Sequence, residues 1–358
     1  MNSAMAIFTD THPSKCQYTG NEWGWVQLET QDAILKLREL GARKILLQLP
    51  DGLKPDVFRY FTEFSREFSV IVSSDPFYGA CDIGNQEVYG KVDAIVQLGH
   101  SVIPNIEYPL PVIFIEYRSG ASVEIDPHIF DVLSQSGYTK IGLLASIQYM
   151  DHMEKVRQIL AGSGYQVQAG KQDSRMAYPG QVLGCNFSAA HSISAWADCY
   201  VVVSTGKFHG IGAQLASDKP VYILDLNLRR LVPMADETDQ FLRRRYARIS
   251  RALDAHKFCV VVDTKIGQYR MKLASHIVKQ VTDLGHEAVL ITANDARPSD
   301  YENMRCDAVI FTGCPRVPID EEDRFPMPVL TPPEFQSLFV TNDRGRYVMD
   351  EIVAVDRL

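Results

Sequence analysis

Three cysteines share a setting that suits metal binding. Each lies in a loop-like stretch with glycine at or near the preceding position, in the segments "DPFYGACDIGN", "GQVLGCNF" and "FTGCPRVPID". Glycine lets the backbone approach a bulky bound group closely, and cysteine thiolates are soft ligands that suit an iron–sulfur cluster or zinc. The cysteines are Cys81, Cys185 and Cys314, and the glycines are Gly79, Gly184 and Gly313. A shared site requires a fold that brings these distant segments together.

The other four cysteines lack this setting. Cys199 and Cys259 lie inside apolar runs and are expected in the core, Cys306 opens such a run, and Cys16 lies near the N-terminus. The chain has seven cysteines in all, an odd number that fits reduced thiols better than a disulfide framework.

A threefold internal repeat provides a way to bring the cysteines together. Asp93, Asp198 and Asp307 each precede an apolar run, and each run is followed by a Pro-Val stretch, "LPVIFIEY", "KPVYILDL" or "MPVLTP". Each copy begins with a basic-start run, "RKILLQLP", "TKIGLLAS" or "HKFCVVVD". A helical stretch and a short strand-like run then follow, "FSVIVSSD", "YQVQAG" or "HEAVLITA". Continuous apolar runs separated by helix-length segments are typical of parallel sheets buried on both faces.

We therefore predict three α/β domains, each with a sheet of roughly four parallel strands, arranged around a central site. The predicted domains span residues 26–125, 126–240 and 241–358, after an N-terminal segment of residues 1–25. The stretch "QYRMKLASHIVKQVTDLGH" shows the apolar spacing of a helix and a stop signal at Gly285.

The repeat predicts where the cysteines lie. Cys81 and Cys185 follow the short strand of copies one and two, and Cys314 follows the next strand of copy three. All three are thus expected beyond the carboxyl ends of parallel strands, the edge where open α/β sheets bind ligands. One cysteine per domain on comparable edges favours a single metal site over the alternative, three unrelated small buried residues.

Composition argues against several other classes of protein. The 358 residues carry a formal net charge of −8, which argues against direct binding to nucleic acid or to anionic membranes. No apolar run approaches the ~20 residues that span a bilayer. The N-terminus lacks the basic and apolar regions of a signal peptide, so we expect a cytoplasmic chain.

The motifs around the cysteines resemble the diphthamide synthase family, in particular its archaeal single-polypeptide type. In chain order they are "LLQLPDGLK", "YGACD", "LGHS", "GQVLGC", "GKFHGIG", the "GQ" of Gly267–Gln268, and "TGCPRVPIDEEDRF". They cover nearly the whole chain beyond residue 25. The residues after "YGACD" and Leu226 depart from the family pattern, and residues 1–25 have no match to it.

The resemblance implies a 4Fe–4S cluster held by Cys81, Cys185 and Cys314, one from each domain. It implies S-adenosylmethionine as substrate, without the CxxxCxxC signature of ordinary radical enzymes, which this sequence lacks. It further implies transfer of the 3-amino-3-carboxypropyl group to a histidine of elongation factor 2 and release of methylthioadenosine, the first step of diphthamide biosynthesis. A homodimer and a separate electron donor are also implied.

Other polar residues on the same predicted edge are candidates for substrate binding: Tyr78, His100, Ser101, Gly206, His209 and Arg316. The two histidines suit contacts with the nucleoside or the methionine carboxylate, or else each bonds a backbone carbonyl. Arg316 suits a carboxylate, or else it pairs with Asp320 or Glu321. No separate acid or base is proposed beside the cluster.

The arginine run "FLRRRYARISR" has its own alternatives. It puts Arg244, Arg248 and Arg251 along one stripe of a helix. Such a stripe is typical either of a helix that binds an acidic partner or of a solvated linker helix.

Two other functions fit parts of the pattern. Quinolinate synthase resembles this architecture, with three α/β repeats and three cysteines on one 4Fe–4S cluster, but it is a dehydratase that uses no S-adenosylmethionine. A non-catalytic accessory subunit that binds a cluster or zinc is the second alternative. "YGACD" and "TGCPRVPID" favour the diphthamide family over quinolinate synthase.

Overall fold

Three sheets form, one in each predicted repeat, because the apolar runs become buried strands rich in Val, Ile and Leu. The computed structural model describes residues 26–84, 86–119, 124–343 and 345–356. Residues 1–25, with Cys16, Trp23 and Trp25, lie outside the described residues.

The first sheet has four parallel strands in the order β2-β1-β3-β4. They are β1 (Lys44–Gln48), β2 (Ser69–Ser73), β3 (Ala94–Leu98) and β4 (Val112–Ile115). The helices of this repeat are α1 (Val26–Glu39), α2 (Val57–Phe64) and α3 (Gln86–Tyr89), with a 3₁₀ helix at Asp51–Asp56.

The second sheet repeats this order as β6-β5-β7-β8 and adds β9, which pairs antiparallel with β8. Its strands are β5 (Lys140–Ala145), β6 (Gln166–Ala169), β7 (Cys199–Val203), β8 (Val221–Asp225) and β9 (Arg230–Pro233). The helices are α4 (Asp131–Ser134), α5 (Met153–Gly162), α6 (Ser188–Ser192), α7 (Lys207–Ala216) and α8 (Ala235–Ile249), with 3₁₀ helices at Pro127–Phe130 and Ile147–His152.

The third sheet has the same order again, β11-β10-β12-β13, with all strands parallel. Its strands are β10 (Lys257–Asp263), β11 (Glu287–Ala293), β12 (Ala308–Phe311) and β13 (Val329–Leu330). The helices are α9 (Met271–Asp283), α10 (Pro298–Asn303), α11 (Arg316–Asp320) and α12 (Pro332–Phe335). Shorter turns are Ser250–Asp254, Glu322–Arg324 and the π-helical Gln336–Val340.

The predicted fold class, three α/β repeats with about four parallel strands each, is confirmed. The antiparallel strand β9 was not predicted. The helix predicted before Gly285 is α9, and Gly285 adopts a φ of 86°, which glycine reaches without steric cost. The domain boundaries near residues 125 and 240 stay a prediction.

The repeated aspartates join the strands of each sheet at their amino ends. One carboxylate oxygen of Asp93 accepts the backbone N–H groups of Arg43 and Lys44, both at 2.8 Å. Asp198 and Asp307 do the same at the start of β5 and β10. These backbone hydrogen bonds lower the pKa of all three carboxyl groups. The aspartate that marks each repeat is therefore a structural residue, at the sheet end opposite the cysteine loops.

Large apolar side chains fill a core beside each sheet. Leu47 and Phe64 are fully buried in the first repeat, Tyr200 in the second, and Val260 and Ile277 in the third. Burying one such side chain contributes roughly 1.5–3 kcal/mol. These cores keep the strands rigid, and the cysteine loops follow the carboxyl ends of those strands.

The arginine-rich helix α8 is anchored to the third repeat. Its Arg245 is almost fully buried and pairs with Glu334 at 2.6 Å through two nitrogens. Arg248 donates to the carbonyl of Glu322 at 2.7 Å, and Arg251 donates to that of Pro326 at 3.2 Å. These arginines therefore hold the helix in place.

Two of the cysteines expected in and beside the core form a disulfide, Cys259–Cys306. Cys259 lies in β10 and Cys306 precedes β12, so the bond joins neighbouring parts of the third sheet. The expectation that the thiols are reduced is therefore wrong for this pair. Cys81, Cys185, Cys199 and Cys314 are not in a disulfide.

The chain divides into two compact units. The first holds the described residues up to 119, together with Ile147–Asp151 and Ser174–Ala177. The second holds the other described residues from 124 onward. Cys81 thus lies in the first unit, and Cys185 and Cys314 lie in the second. In neither unit do the described residues form a helix long and apolar enough to cross a membrane.

Candidate functional site

The Cys81 loop of the first unit rests on the carboxyl ends of two central strands. The carbonyl of Asp82 accepts the side-chain amides of Gln48 at 3.3 Å and Gln97 at 2.9 Å. Both glutamines are buried, and Gln97 also donates to Gln48 at 3.1 Å. The loop backbone is therefore fixed immediately after the buried Cys81.

Aromatic side chains line the same loop. The hydroxyl of Tyr108 donates to the carbonyl of Ala80 at 3.2 Å. Burial raises the pKa of Tyr108, and the charge of the nearby Cys81 acts in the same direction. The His100 ring packs edge-on against Phe77 with centroids 5.4 Å apart.

Gly79 lies beside this histidine. A Cβ atom placed on Gly79 would lie 3.7 Å from Cδ2 of His100 and 3.9 Å from Sγ of Cys81. His100, predicted as a site residue, therefore lies close to the first cysteine.

In the second unit, Cys185 lies in a tight turn closed by two hydrogen bonds between Leu183 and Asn186, at 3.0 and 3.2 Å. The carbonyl of Cys185 accepts the backbone N–H of Ile352 at 2.8 Å. A Cβ atom on Gly184 would overlap the ring of Phe208. Only glycine therefore lets the cysteine loop lie directly against this ring.

Cys314 follows β12, and its backbone is held on both sides. Its N–H donates to Oε1 of Gln268 at 3.0 Å. Pro315 has a φ of −63° and caps the short helix α11, as its rigid ring favours. The glutamine belongs to the "GQ" motif noted in the sequence, and the hydrogen bond gives that motif a structural role.

Arg270 connects the Cys314 loop to Asp350, which lies two residues before the Ile352 that donates to Cys185. Arg270 donates from Nε to the carbonyl of Thr312 at 2.6 Å and from Nη2 to that of Gly313 at 3.1 Å, the two residues before Cys314. Its Nη1 and Nη2 atoms also form a bidentate pair with Asp350, at 3.0 and 2.7 Å.

The charge of Arg270 interacts electrostatically with both thiols. Burial alone would lower the pKa of Arg270, but Asp350 raises it, and so do the negative charges of Cys185 and Cys314. The guanidinium therefore stays ionised, and the two cysteines lie in one electrostatic environment.

Arg316 and His209 extend this site. Arg316 forms an ion pair with Asp320 at 2.6 Å, the pairing considered from the sequence. His209 lies 3.2 Å, Nδ1 to Oγ, from Ser204. Burial, and then the charge of Arg316, lower the pKa of His209 to about 4. His209 is thus uncharged at neutral pH.

Three further predicted residues are Ser101, Tyr78 and Gly206. Ser101 is buried and follows His100 in the first unit, and Tyr78 is half-buried one residue before Gly79. Gly206 is exposed, has a φ of 85° and precedes α7. Their predicted role in substrate binding stays a prediction.

Sequence reasoning missed Arg270, Asp350 and Tyr108. Arg270 lies two residues beyond the "GQ" motif, which was the one available signal. Asp350 and Tyr108 lie in stretches without a recognisable motif. The part of the chain that the structure describes has no set of three His, Cys, Asp or Glu side chains close enough to hold a metal ion.

Comparison with known proteins places these loops in context. The family model for diphthamide synthesis proteins matches residues 49–348, a range that includes all three cysteine loops. A 2-(3-amino-3-carboxypropyl)histidine synthase of Pyrococcus horikoshii is 32% identical over 335 residues, covering 92% of this chain and 95% of that protein. A 2-(3-amino-3-carboxypropyl)histidine synthase subunit 1 of Encephalitozoon cuniculi is 26% identical and covers 90% of each chain.

A solved structure is similar to this chain as well. The crystal structure of Dph2 from Pyrococcus horikoshii with a 4Fe-4S cluster matches with a TM-score of 0.81 and 30% identity. The match covers 92% of this chain and 95% of that one. The resemblance inferred from the cysteine motifs is thereby confirmed.

Proposed function

We propose, from the premise that the chain belongs to the diphthamide synthesis family, that it transfers the 3-amino-3-carboxypropyl group of S-adenosylmethionine to a histidine of elongation factor 2. Methylthioadenosine is the other product, and the step is the first of diphthamide biosynthesis. The observation that carries the proposal is the link from the Cys314 loop through Arg270 and Asp350 to the segment that bonds Cys185. Relatives with the synthase name are similar to this chain over nearly its full length.

The proposed ligands of a 4Fe–4S cluster are Cys81, Cys185 and Cys314. Their chemistry fits, because Fe–S clusters are held by cysteine thiolates and none of the three is in a disulfide. Cys81 belongs to the first unit, and Cys185 and Cys314 belong to the second.

A cluster held by three thiolates supplies a reducing electron and an iron position that is open to substrate. The side chains of this chain bind and orient the substrate around it. The neutral His209 can offer a hydrogen bond without adding a positive charge that would repel a sulfonium substrate. Cys81 and Cys314 are themselves buried, which limits the access of water to their thiolates.

Three further statements belong to the proposal. The protein partner is elongation factor 2, the chain acts in the cytoplasm as a homodimer, and a separate electron donor reduces the cluster. The formal net charge of −8 gives no support for direct contact with nucleic acid.

One anaerobic reaction tests the function. The reconstituted protein, dithionite, S-adenosylmethionine and the cognate elongation factor 2 are combined and analysed by chromatography and mass spectrometry. We expect methylthioadenosine and one aminocarboxypropyl group on a histidine of the factor. Deoxyadenosine, adenosylhomocysteine or an unmodified factor beside an intact reduced cluster would overturn the proposal. S-adenosylmethionine left unconsumed beside an intact cluster would favour the two alternatives, the dehydratase and the accessory subunit.

A further inference from the structure

The C-terminal segment, residues 345–356, contacts the Cys185 loop directly and is linked to the Cys314 loop through Arg270. We name it the C-terminal strap. The N–H of Ile352 donates to the carbonyl of Cys185 at 2.8 Å. Two residues earlier, Asp350 holds Arg270, and Arg270 donates to the carbonyls before Cys314. The strap is thus a hydrogen-bonded path from one cysteine to the other.

A third contact fixes the strap between these two. The carboxylate of Glu351 accepts the N–H of Phe187 at 2.7 Å and lies 2.7 Å from Nε2 of His191. Protonation of His191 is favoured by this carboxylate, which raises the pKa of His191. Three consecutive strap residues therefore each have a defined partner, as a rigid connection requires.

We propose that Arg270 and Asp350 are positioning residues that fix the spacing of the Cys185 and Cys314 thiolates and set the electrostatic potential that the two thiolates share. The inference deepens the proposed function, because it assumes that these thiolates bind the cluster. It assigns no contact between either residue and substrate.

The geometry of Arg270 explains why an arginine is needed. All three of its nitrogens donate, to two carbonyls and to both oxygens of one carboxylate. Lysine has a compact ammonium and cannot reproduce this planar fork. Both side chains are buried, and removing one member of a buried pair leaves the other charge uncompensated.

The chain contains a control in the ion pair of Arg245 and Glu322, which lie 2.7 Å apart. Arg245 is buried even more deeply than Arg270. Arg245 also pairs with Glu334, but Glu334 accepts the hydroxyl of Tyr347 in the strap at 2.7 Å and its charge acts on Asp350, so Glu334 is not used as the control. Replacing Glu322 tests the cost of disturbing a buried arginine that does not donate to the residue next to Cys314.

The first measurement is the reduction potential of the reconstituted cluster. Asp350→Asn keeps the shape and leaves the Arg270 charge uncompensated, so we expect a less negative potential. Arg270→Gln removes a positive charge that acts on both thiolates, so we expect a more negative potential. Arg270→Lys should fail to restore the wild-type value. Glu322→Gln should lower thermal stability and leave the potential unchanged.

The second measurement needs no cluster. A short bifunctional thiol reagent should cross-link Cys185 to Cys314 in the wild-type apoprotein, with peptide mass spectrometry as the readout. We expect the yield to fall several-fold in Asp350→Asn and in Arg270→Gln, and to persist in Glu322→Gln. This result is independent of catalysis, so a failure of the proposed function leaves it interpretable.

The inference is overturned by wild-type potential and cross-linking in both Asp350→Asn and Arg270→Gln. It is also overturned if Asp350→Asn and Arg270→Gln shift the potential in the same direction, or if Glu322→Gln shifts it as far as they do. A fall in cross-linking together with opposite shifts of the potential supports it.

Discussion

Arg316 places its guanidinium carbon 5.0 Å from the centre of the Phe208 ring, a cation–π arrangement. The same ring lies where a side chain on Gly184 would have to go. A residue two positions after Cys314 thus packs on the ring that fills the space before Cys185. The two cysteine loops of the second unit are joined by packing as well as by hydrogen bonds.

Gly184→Ala should disturb this packing. The added methyl group would overlap Phe208, and overpacking of this kind typically costs about 1–3 kcal/mol. We expect a lower free energy of unfolding in urea and less iron per chain after reconstitution. Adding Phe208→Leu should recover part of the stability.

Gly162→Ala is the matched control, because Gly162 ends α5 and has open space around its Cβ position. It should be neutral, or more stable by about 0.5–1 kcal/mol. Equal losses in Gly184→Ala and Gly162→Ala would contradict the packing argument.

Single replacement of Cys81, Cys185 or Cys314 by alanine should lower iron and sulfide content and abolish turnover. The control is Cys199→Ala, which lies in the core strand β7 and should keep the cluster while losing some stability to a small void. Iron analysis and absorption spectra check both. Full iron and sulfide in Cys314→Ala would refute the three-ligand site.

Acidification should weaken the fold through His209. Its pKa of about 4 lies below the ordinary value near 6.5, so between these pH values the unfolded chain binds a proton that the folded chain does not. The free energy of unfolding therefore falls as the pH drops through this window, by up to about 3 kcal/mol. His209→Gln should flatten this dependence in urea unfolding between pH 7 and pH 4.5.

Asp263 should have the opposite effect on the pH dependence of stability. Burial raises the pKa of its carboxyl group to about 6, so the folded chain keeps a proton that the unfolded chain loses between about pH 4 and pH 6. The loss of this proton therefore lowers the free energy of unfolding as the pH rises. Asp263→Asn should therefore make stability rise more steeply with pH. A change of the same sign in both variants would show that the assigned protonation states are incorrect.

The Cys259–Cys306 disulfide should stabilise the third repeat. It closes a separation of 47 residues. The loop-entropy relation gives roughly 4 kcal/mol for a loop of that length. The double variant with alanine at both positions should unfold at lower temperature and keep its iron. Its melting temperature should not respond to reductant, whereas that of the wild-type chain should fall once the disulfide is reduced.

Much of the architecture follows from local pattern. Buried strands of a parallel sheet must be apolar on both faces, so runs such as Lys257–Asp263 are visible in the sequence itself. The order of helix-length segments then predicts three repeats, and the repeat predicts that Cys81, Cys185 and Cys314 follow strand ends. Glycine at or near the position before each cysteine was a further local signal. A close approach of the backbone to another group requires a small residue, and the sequence shows that residue directly.

Contacts between distant segments could not be predicted from local sequence patterns. Arg270 and Asp350 are 80 residues apart, and nothing local indicates that one buried charge has the other as its partner. The pairing of Cys259 with Cys306 likewise depends on β10 and β12 lying side by side. Strand pattern is set by nearest neighbours along the chain, whereas charge pairing and disulfide formation depend on which segments the folded chain brings into contact.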